Sequence, residues 1–281
     1  VAQHSLWQPQ PGLVGCSDAI RAIEREVDCA ARSNAGVLIT GERGVGKDTV
    51  ARLIHDRSPR ASAALVTLAC PGLPDVLVES ELFGHRRGSF AGAYRDKPGL
   101  LEMSRNGSLF LDEVGELSPP MQAAVLRFLE SSKIQRIGAD GAHANVNVRV
   151  MAATNGDLEA QVAAGRFRED LHSRLSGIRL TIPPLRERME DIPLLVDHFL
   201  SSARRPYGAR ACTLSPAVLN ALMAYRWPGN VRELQSVVER MVLRADGPTV
   251  QASEVPAEVL RSEADADGAC PSRSGVPRVS P

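Results

Sequence analysis

Gly41-Glu42-Arg43-Gly44-Val45-Gly46-Lys47 places closely spaced glycines and a lysine between a short apolar run, Val37 to Thr40, and a segment of helical spacing, Asp48 to His55. Glycine adopts backbone angles closed to other residues, so successive N–H groups in such a loop can curl around phosphate oxygens, and the dipole of the following helix favours the bound anion. Lys47 would neutralise the β and γ phosphates of a nucleotide. The strict phosphate-loop pattern continues with Ser or Thr to hold Mg²⁺, whereas this chain continues with Asp48 and then Thr49. Farther on, Ser108-Leu109-Phe110-Leu111 reads as a buried strand ending in Asp112 and Glu113. Asp112 is suited to hold Mg²⁺ through water, and Glu113 to orient and polarise an attacking water. Val148 to Ala153 reads as another core strand, ending at Thr154-Asn155, where Asn155 could position that water. Each feature alone could be a turn or a strand end with solvated acids; their order along one chain favours phosphate chemistry.

Strands and helices must alternate for these residues to meet. Ile20, Ile23, Val27 and Ala30 recur on one face of Asp18 to Ala31, and Val50, Leu53 and Ile54 do so on Asp48 to His55. β-rich runs stand at Val37 to Thr40, Leu65 to Leu68, Leu109 to Leu111 and Val146 to Ala153, and Ser118-Pro119-Pro120 is a helix start before Met121 to Glu130. The alternation implies an α/β fold with a parallel sheet sandwiched by helices. After Pro183-Pro184 the spacing turns helical at Asp191 to Ala203, Ser215 to Tyr225 and Asn230 to Arg244, with Ser215 and Asn230 as N-caps. The expected organisation is an extension over 1–12, an α/β nucleotide-binding subdomain over 13–183, a small all-helical lid over 184–260, and a disordered tail over 261–281.

Bulk properties narrow the function. The 281 residues are 43% apolar, ordinary for a globular core, and 33 basic side chains balance 33 acidic ones, so the whole chain has no electrostatic pull toward DNA or an anionic membrane. Cys16, Cys29, Cys70, Cys212 and Cys270 are widely separated, without the close pairs of zinc or redox sites, which fits a reducing cytoplasm. No apolar run is long enough to span a bilayer, and no signal peptide is visible. A first residue, Val1, other than Met reads as a fragment.

With these pieces in order, residues from about 13 to 260 resemble the sigma-54-dependent enhancer-binding activators of the AAA+ superfamily. The phosphate loop is similar to that family's GESGTGKE, which explains an acid at Asp48. Glu79-Ser80-Glu81-Leu82-Phe83-Gly84-His85, followed by Gly88-Ser89-Phe90-Ala91-Gly92-Ala93, resembles the ESELFGH and GAFTGA signature. The resemblance implies an ATPase using ATP and Mg²⁺, a ring, hexameric by analogy, and the sigma-54 factor of RNA polymerase as partner. Gly88 and Gly92 would make the loop tip mobile, with Phe90 an exposed anchor. Phe167-Arg168-Glu169-Asp170-Leu171-His172-Ser173-Arg174-Leu175 is similar to FREDLYYRL, whose arginines reach a neighbouring subunit's γ-phosphate, so Arg168 and Arg174 are candidate fingers. Trp227-Pro228-Gly229-Asn230-Val231-Arg232-Glu233-Leu234 resembles WPGNVREL, making Arg232 a nucleotide sensor and Trp227 a core residue. Leu13-Val14-Gly15 lies where the family packs adenine, which nominates Val14 and Gly15.

Departures from the family bear on coupling. Ala69 stands where the NCxxLP motif, here continuing Cys70-Pro71-Gly72-Leu73-Pro74, has an asparagine that bonds the catalytic glutamate; alanine cannot make that bond, which implies looser coupling of hydrolysis to loop movement. Ala91 and Ser89 replace threonine and alanine at the loop tip, which implies weaker sigma-54 engagement. Alternatives are therefore an AAA+ regulator with another target, or a nucleotide-gated binding module with little turnover. The tail shows nothing like the family's helix-turn-helix, so specific DNA binding by the chain itself is not expected, and too few residues precede Leu13 for a receiver or ligand-sensing domain.

Overall fold

Strand residues alternate between two apolar layers, and that alternation builds the core. The computed structural model of the chain describes residues 12–72, 74–139, 144–207, 213–245 and 247–260; the expectations for residues 1–11, Leu73, Cys212 and 261–281 fall outside them. In chain order the main elements are α1 (Asp18–Arg32), β1 (Val37–Thr40), α2 (Lys47–Asp56), β2 (Leu65–Ala69), α3 (Asp75–Phe83), β3 (Ser108–Asp112), α4 (Pro119–Ser131), β4 (Arg149–Thr154), α5 (Leu158–Ala163), α6 (Glu169–Leu175) and β5 (Ile178–Thr181). The five strands are parallel in the order β2-β3-β4-β1-β5. Leu38, Leu109, Leu111, Val150 and Ala152 face one layer with α3, α4 and α6. Val37, Ile39, Phe110, Met151 and Ala153 face the other with α1 and α2. A parallel sheet covered on both faces is what short, wholly apolar strands require.

Two expectations shift. β4 starts at Arg149 rather than Val146, and β5 was not legible as a strand. Ile178-Arg179-Leu180-Thr181 has only alternating burial because it is an edge strand, paired through Val37↔Ile178 to Thr40↔Thr181. Ser118 does cap α4, accepting from the Met121 N–H, with Pro119 in the first helical position.

Among the described residues, chain packing groups those up to 191 with 229–232 in one unit, and those of 192–228 with 233–260 in a second. The second unit contains α7 (Ile192–Tyr207), α8 (Pro216–Ala224) and all but the first turn of α9 (Asn230–Arg244). Among its described residues the regular structure is helical apart from a two-residue parallel pairing of Thr213-Leu214 with Thr249-Val250. Trp227 is fully buried there, donating its indole N–H to Leu222 O at 2.8 Å and meeting Tyr225 edge-on. Ser215 occupies the cap position of α8 but makes no side-chain cap bond. Among the described residues no helix is long and apolar enough to cross a membrane.

The start of the first unit hangs on one acid. Asp191 is fully buried; its Oδ1 accepts the N–H groups of Cys16 and Ser17 at 2.6 and 2.8 Å, and its Oδ2 accepts the Ser17 hydroxyl at 2.7 Å. A Cβ on Gly15 would lie 2.8 Å from Asp191 Oδ1, so the segment leading into α1 can approach this closely only as glycine. Asp191→Ala orphans those buried donors and should cost about 2–4 kcal/mol. Equilibrium urea unfolding checks this, and a loss below about 0.5 kcal/mol, the range of a neutral surface change, would refute it.

Candidate functional site

Register brings the strand ends to one edge. Thr40 pairs with Thr154 and Thr181, and Ala69 with Asp112, so β1 to β5 finish together at their C-terminal ends. In open parallel sheets this edge is where ligands bind. Residues 41–46 leave it from β1, Glu113 from β3 and Asn155 from β4.

Lys47 is the first residue of α2 and only 6% exposed. Its ammonium donates to Gly41 O at 2.8 Å and Glu42 O at 3.3 Å, and lies 3.3 Å from Glu113 Oε1. Glu113 Oε2 accepts the Asn155 backbone N–H at 2.8 Å. Glu113 has φ 57° and ψ 55°, a left-handed conformation that costs a non-glycine residue about 1–2 kcal/mol. Strain of this kind gathers at functional positions, and here it points the carboxylate to the lysine.

Lys47, Asp112, Glu113, Asn155 and Arg232 share one cleft of about 920 Å³, with Arg43, Gly44, Gly46 and Asp48 also on its walls. That volume suits a nucleotide-sized ligand. Arg52, Thr67 and Glu116, which sequence reasoning did not single out, line it too, and so does Ala69. Asp112 is half-buried; burial lifts its carboxyl above the usual carboxylate range, the Glu113 charge lifts it further, and Lys47 pulls it down. Behind it Cys70 is pushed up to about 12 by burial and by the charges of Asp112 and Glu113, so its thiol stays neutral.

The 41–46 loop is held by segments from elsewhere in the chain. Gly44 has φ 81°, and a Cβ there would stand 2.3 Å from Gly229 O, so the loop passes this point only as glycine. Arg232 N–H donates to Gly44 O at 3.2 Å. Asn230 was expected to cap α9 with its side chain; instead it is the first helical residue, fully buried, accepting from Leu185 N and donating to Glu42 Oε2 and Arg43 O. Glu42 also takes both arms of Arg186, at 2.7 and 2.9 Å, and is held down to about 2, first by Arg186 and then by Asn230. Val45 is buried, and its carbonyl accepts from Arg188 at 3.1 Å. Arg186, Arg188, Asp191 and the reach of Asn230 were not legible in the sequence: the partners lie 143 or more residues away along the chain.

Other nominated residues lie apart from this cleft. Val14, Gly15, Gly41, Glu42, Val45 and Thr49 are not on its walls; Val14 and Gly15 are half-buried beside the Asp191 anchor. Arg168 donates through Nε and Nη2 to Asp170 at 3.0 and 2.7 Å, on a shallow surface with Glu169 and Ser173, and Arg174 is exposed at the end of α6. In the loop, Gly88 N–H donates to Ala93 O and the Ser89 hydroxyl to Arg86 O, which closes a tight turn. Ala91 and Gly92 are exposed, whereas Ala93 is buried. Phe90, expected to be exposed, is half-buried with its ring edge-on to His85 at 4.9 Å, a contact worth about 0.5–1.5 kcal/mol. Tyr94, at 87%, is the exposed aromatic instead.

Residues 13–181 match the sigma-54 interaction domain, and 186–270 an AAA+ ATPase lid domain. The anaerobic nitric oxide reductase transcription regulator NorR of Citrobacter koseri is 48% identical over 233 residues, 83% of this chain and 46% of the regulator. The nitrogen fixation protein AnfA of Azotobacter vinelandii is 45% identical over 251 residues, 89% of this chain and 47% of that protein. The chain thus spans about half the length of these relatives. Crystal structures of NtrX from Brucella abortus in complex with ADP and with ATP superpose with TM-scores of 0.81 and 0.80 at 36% identity, covering 89% of this chain and 56% and 57% of theirs. With its sheet order, its cleft and both halves of its length matched in this way, the chain belongs to the sigma-54 interaction AAA+ domain family of bacterial enhancer-binding transcription activators.

Proposed function

We propose that this chain is an ATP-hydrolysing motor domain that remodels sigma-54 RNA polymerase holoenzyme in the cytoplasm. The observation that carries the reading is the convergence of Lys47, Asp112, Glu113 and Asn155 on one cleft at the C-terminal sheet edge. Lys47 would bind the β and γ phosphates, with the 41–46 loop N–H groups around them and Arg232 at the cleft wall. Glu113 would accept the proton of the attacking water, helped in orienting it by Asn155. The known nucleotide complexes of NtrX support ATP and ADP as ligands.

The residues present fit Mg²⁺. Asp112 and Glu113 set two carboxylates side by side at the cleft; burial first and then the Glu113 charge raise the Asp112 carboxyl, and Lys47 offsets this in part. Asp112 would hold the cation as one carboxylate ligand, with water and nucleotide oxygens as the others. Bound beside Asp112, Mg²⁺ would supply charge neutralisation at the phosphates.

Arg168 and Arg174 would complete the cleft of a neighbouring copy in a ring, a reading supported by their exposure and by their absence from their own cleft. ATPase rate per subunit should then rise with protein concentration by about tenfold or more as shared sites assemble, since a finger is worth a factor of about 10³–10⁵. A flat rate per subunit on dilution would overturn the shared site.

The loop 88–93 would contact sigma-54. Exposed Ala91 lacks a hydroxyl, so Ala91→Thr should tighten sigma-54 binding, in the presence of an ATP transition-state mimic, by about fivefold, one hydrogen bond's worth. Unchanged binding would favour a regulator with another target. Ala69 on the cleft wall supports a further reading, a nucleotide-gated module with little turnover, because the Glu113 carboxylate is engaged only by Lys47 and Asn155 among the described contacts. Measured phosphate release separates it from a motor.

A further inference from the structure

The phosphate loop contains an acid that ought to work against it. Glu42 sits between Gly41 and Arg43, in the loop that would wrap a polyanion, and a bare carboxylate there repels phosphate. Arg186 meets it with both guanidinium arms, at 2.7 and 2.9 Å, and Asn230 donates to the same carboxylate at 3.1 Å. Arg186 and Glu42 are each 43% exposed at the side chain, so their pairing adds little to stability, and losing it leaves the fold intact. Its consequence lies in the charge of the loop.

The same segment supplies a second cation. Arg188 is 4% exposed, donates to Val45 O, and keeps a buried Nε without a partner; it makes no ion pair within contact distance among the described residues. Burial lowers the proton affinity of this guanidinium, and the charge of the buried Asp191 offsets that in part. Seated against the loop backbone, it adds positive potential where phosphate would bind.

We propose that Arg186 is a positioning residue for nucleotide: by pairing with Glu42 it cancels that acid's repulsion of the phosphates and so sets the charge that the loop presents to them. This rests on the nucleotide reading above. The chemistry recognised is that of a nucleoside di- or triphosphate, and the effect grows with the charge of the phosphate chain.

The test is titration of the full chain with a fluorescent ADP analogue. Arg186→Ala should weaken binding about tenfold, and adding Glu42→Gln to that variant should restore affinity to within about threefold of the parent chain. The Arg186→Ala deficit should also shrink between about 0.05 and 0.5 M KCl, because a partly exposed charge is screened over that range. A double variant as weak as Arg186→Ala, or a deficit indifferent to salt, would mean that Arg186 is a structural brace and would overturn the proposal. If the parent chain binds no ADP analogue, the nucleotide reading itself fails. If it binds and the rescue is absent, only the role of Arg186 does.

Discussion

Lys47→Ala should impair nucleotide binding and hydrolysis together, with ADP affinity expected to fall by about 100-fold or more. The ammonium is 6% exposed and already sits among Gly41 O, Glu42 O and Glu113 Oε1, so its position is set before any ligand arrives. A charge-assisted hydrogen bond to phosphate is worth about 1.5–3 kcal/mol, and Lys47 would make more than one. Its loss also leaves Glu113 and Asp112 without their nearest cation, which repels a phosphate chain further. Calorimetric titration with ADP, beside a thermal melt to show that the variant is folded, checks the result. Affinity within about threefold of the parent, under 1 kcal/mol, would mean that phosphates do not bind against this lysine.

Glu113→Gln should separate binding from chemistry. The amide keeps the size of the carboxylate and can still accept the Asn155 N–H, but it cannot take a proton from water and cannot pair with Lys47. General-base catalysis contributes about 10²–10⁴, so turnover should fall by that factor. ATP binding should hold or tighten, since Lys47 no longer has a competing anion beside it. Single-turnover hydrolysis and binding of a non-hydrolysable ATP analogue read the two effects separately. Turnover within about threefold of the parent, far short of a general base's share, would move water activation to another group, and Glu116 on the cleft wall would be the first to replace. Loss of binding and turnover in parallel would assign Glu113 to holding the site's shape.

Legibility followed the range of the interactions. The glycines of 41–46, the apolar triplet before Asp112, and the 3.6-residue spacing of α1 and α2 were readable because each rests on neighbours within a few residues. β5 was not: an edge strand with one covered face carries half the apolar signal of β3, whose first four residues are all buried. The loop signature was readable as a resemblance, yet whether Phe90 stands out or turns back depends on His85, whose ring is set by the Ser80 hydroxyl at 2.7 Å.

Sequence alone carried the class of fold and the family, and it nominated the residues proposed for phosphate, metal and water, since that chemistry would demand those side chains at fixed steps from strand ends. Tertiary structure decided what surrounds them. That Asp191 anchors Ser17, that Asn230 leaves its helix cap for Leu185 and the phosphate loop, and that Arg186 neutralises Glu42 depend on contacts between segments far apart in the chain. Burying a backbone amide, carbonyl or charge obliges it to find a partner, but the partner is whichever side chain the folded chain brings within about 3 Å, and local spacing carries no record of that choice.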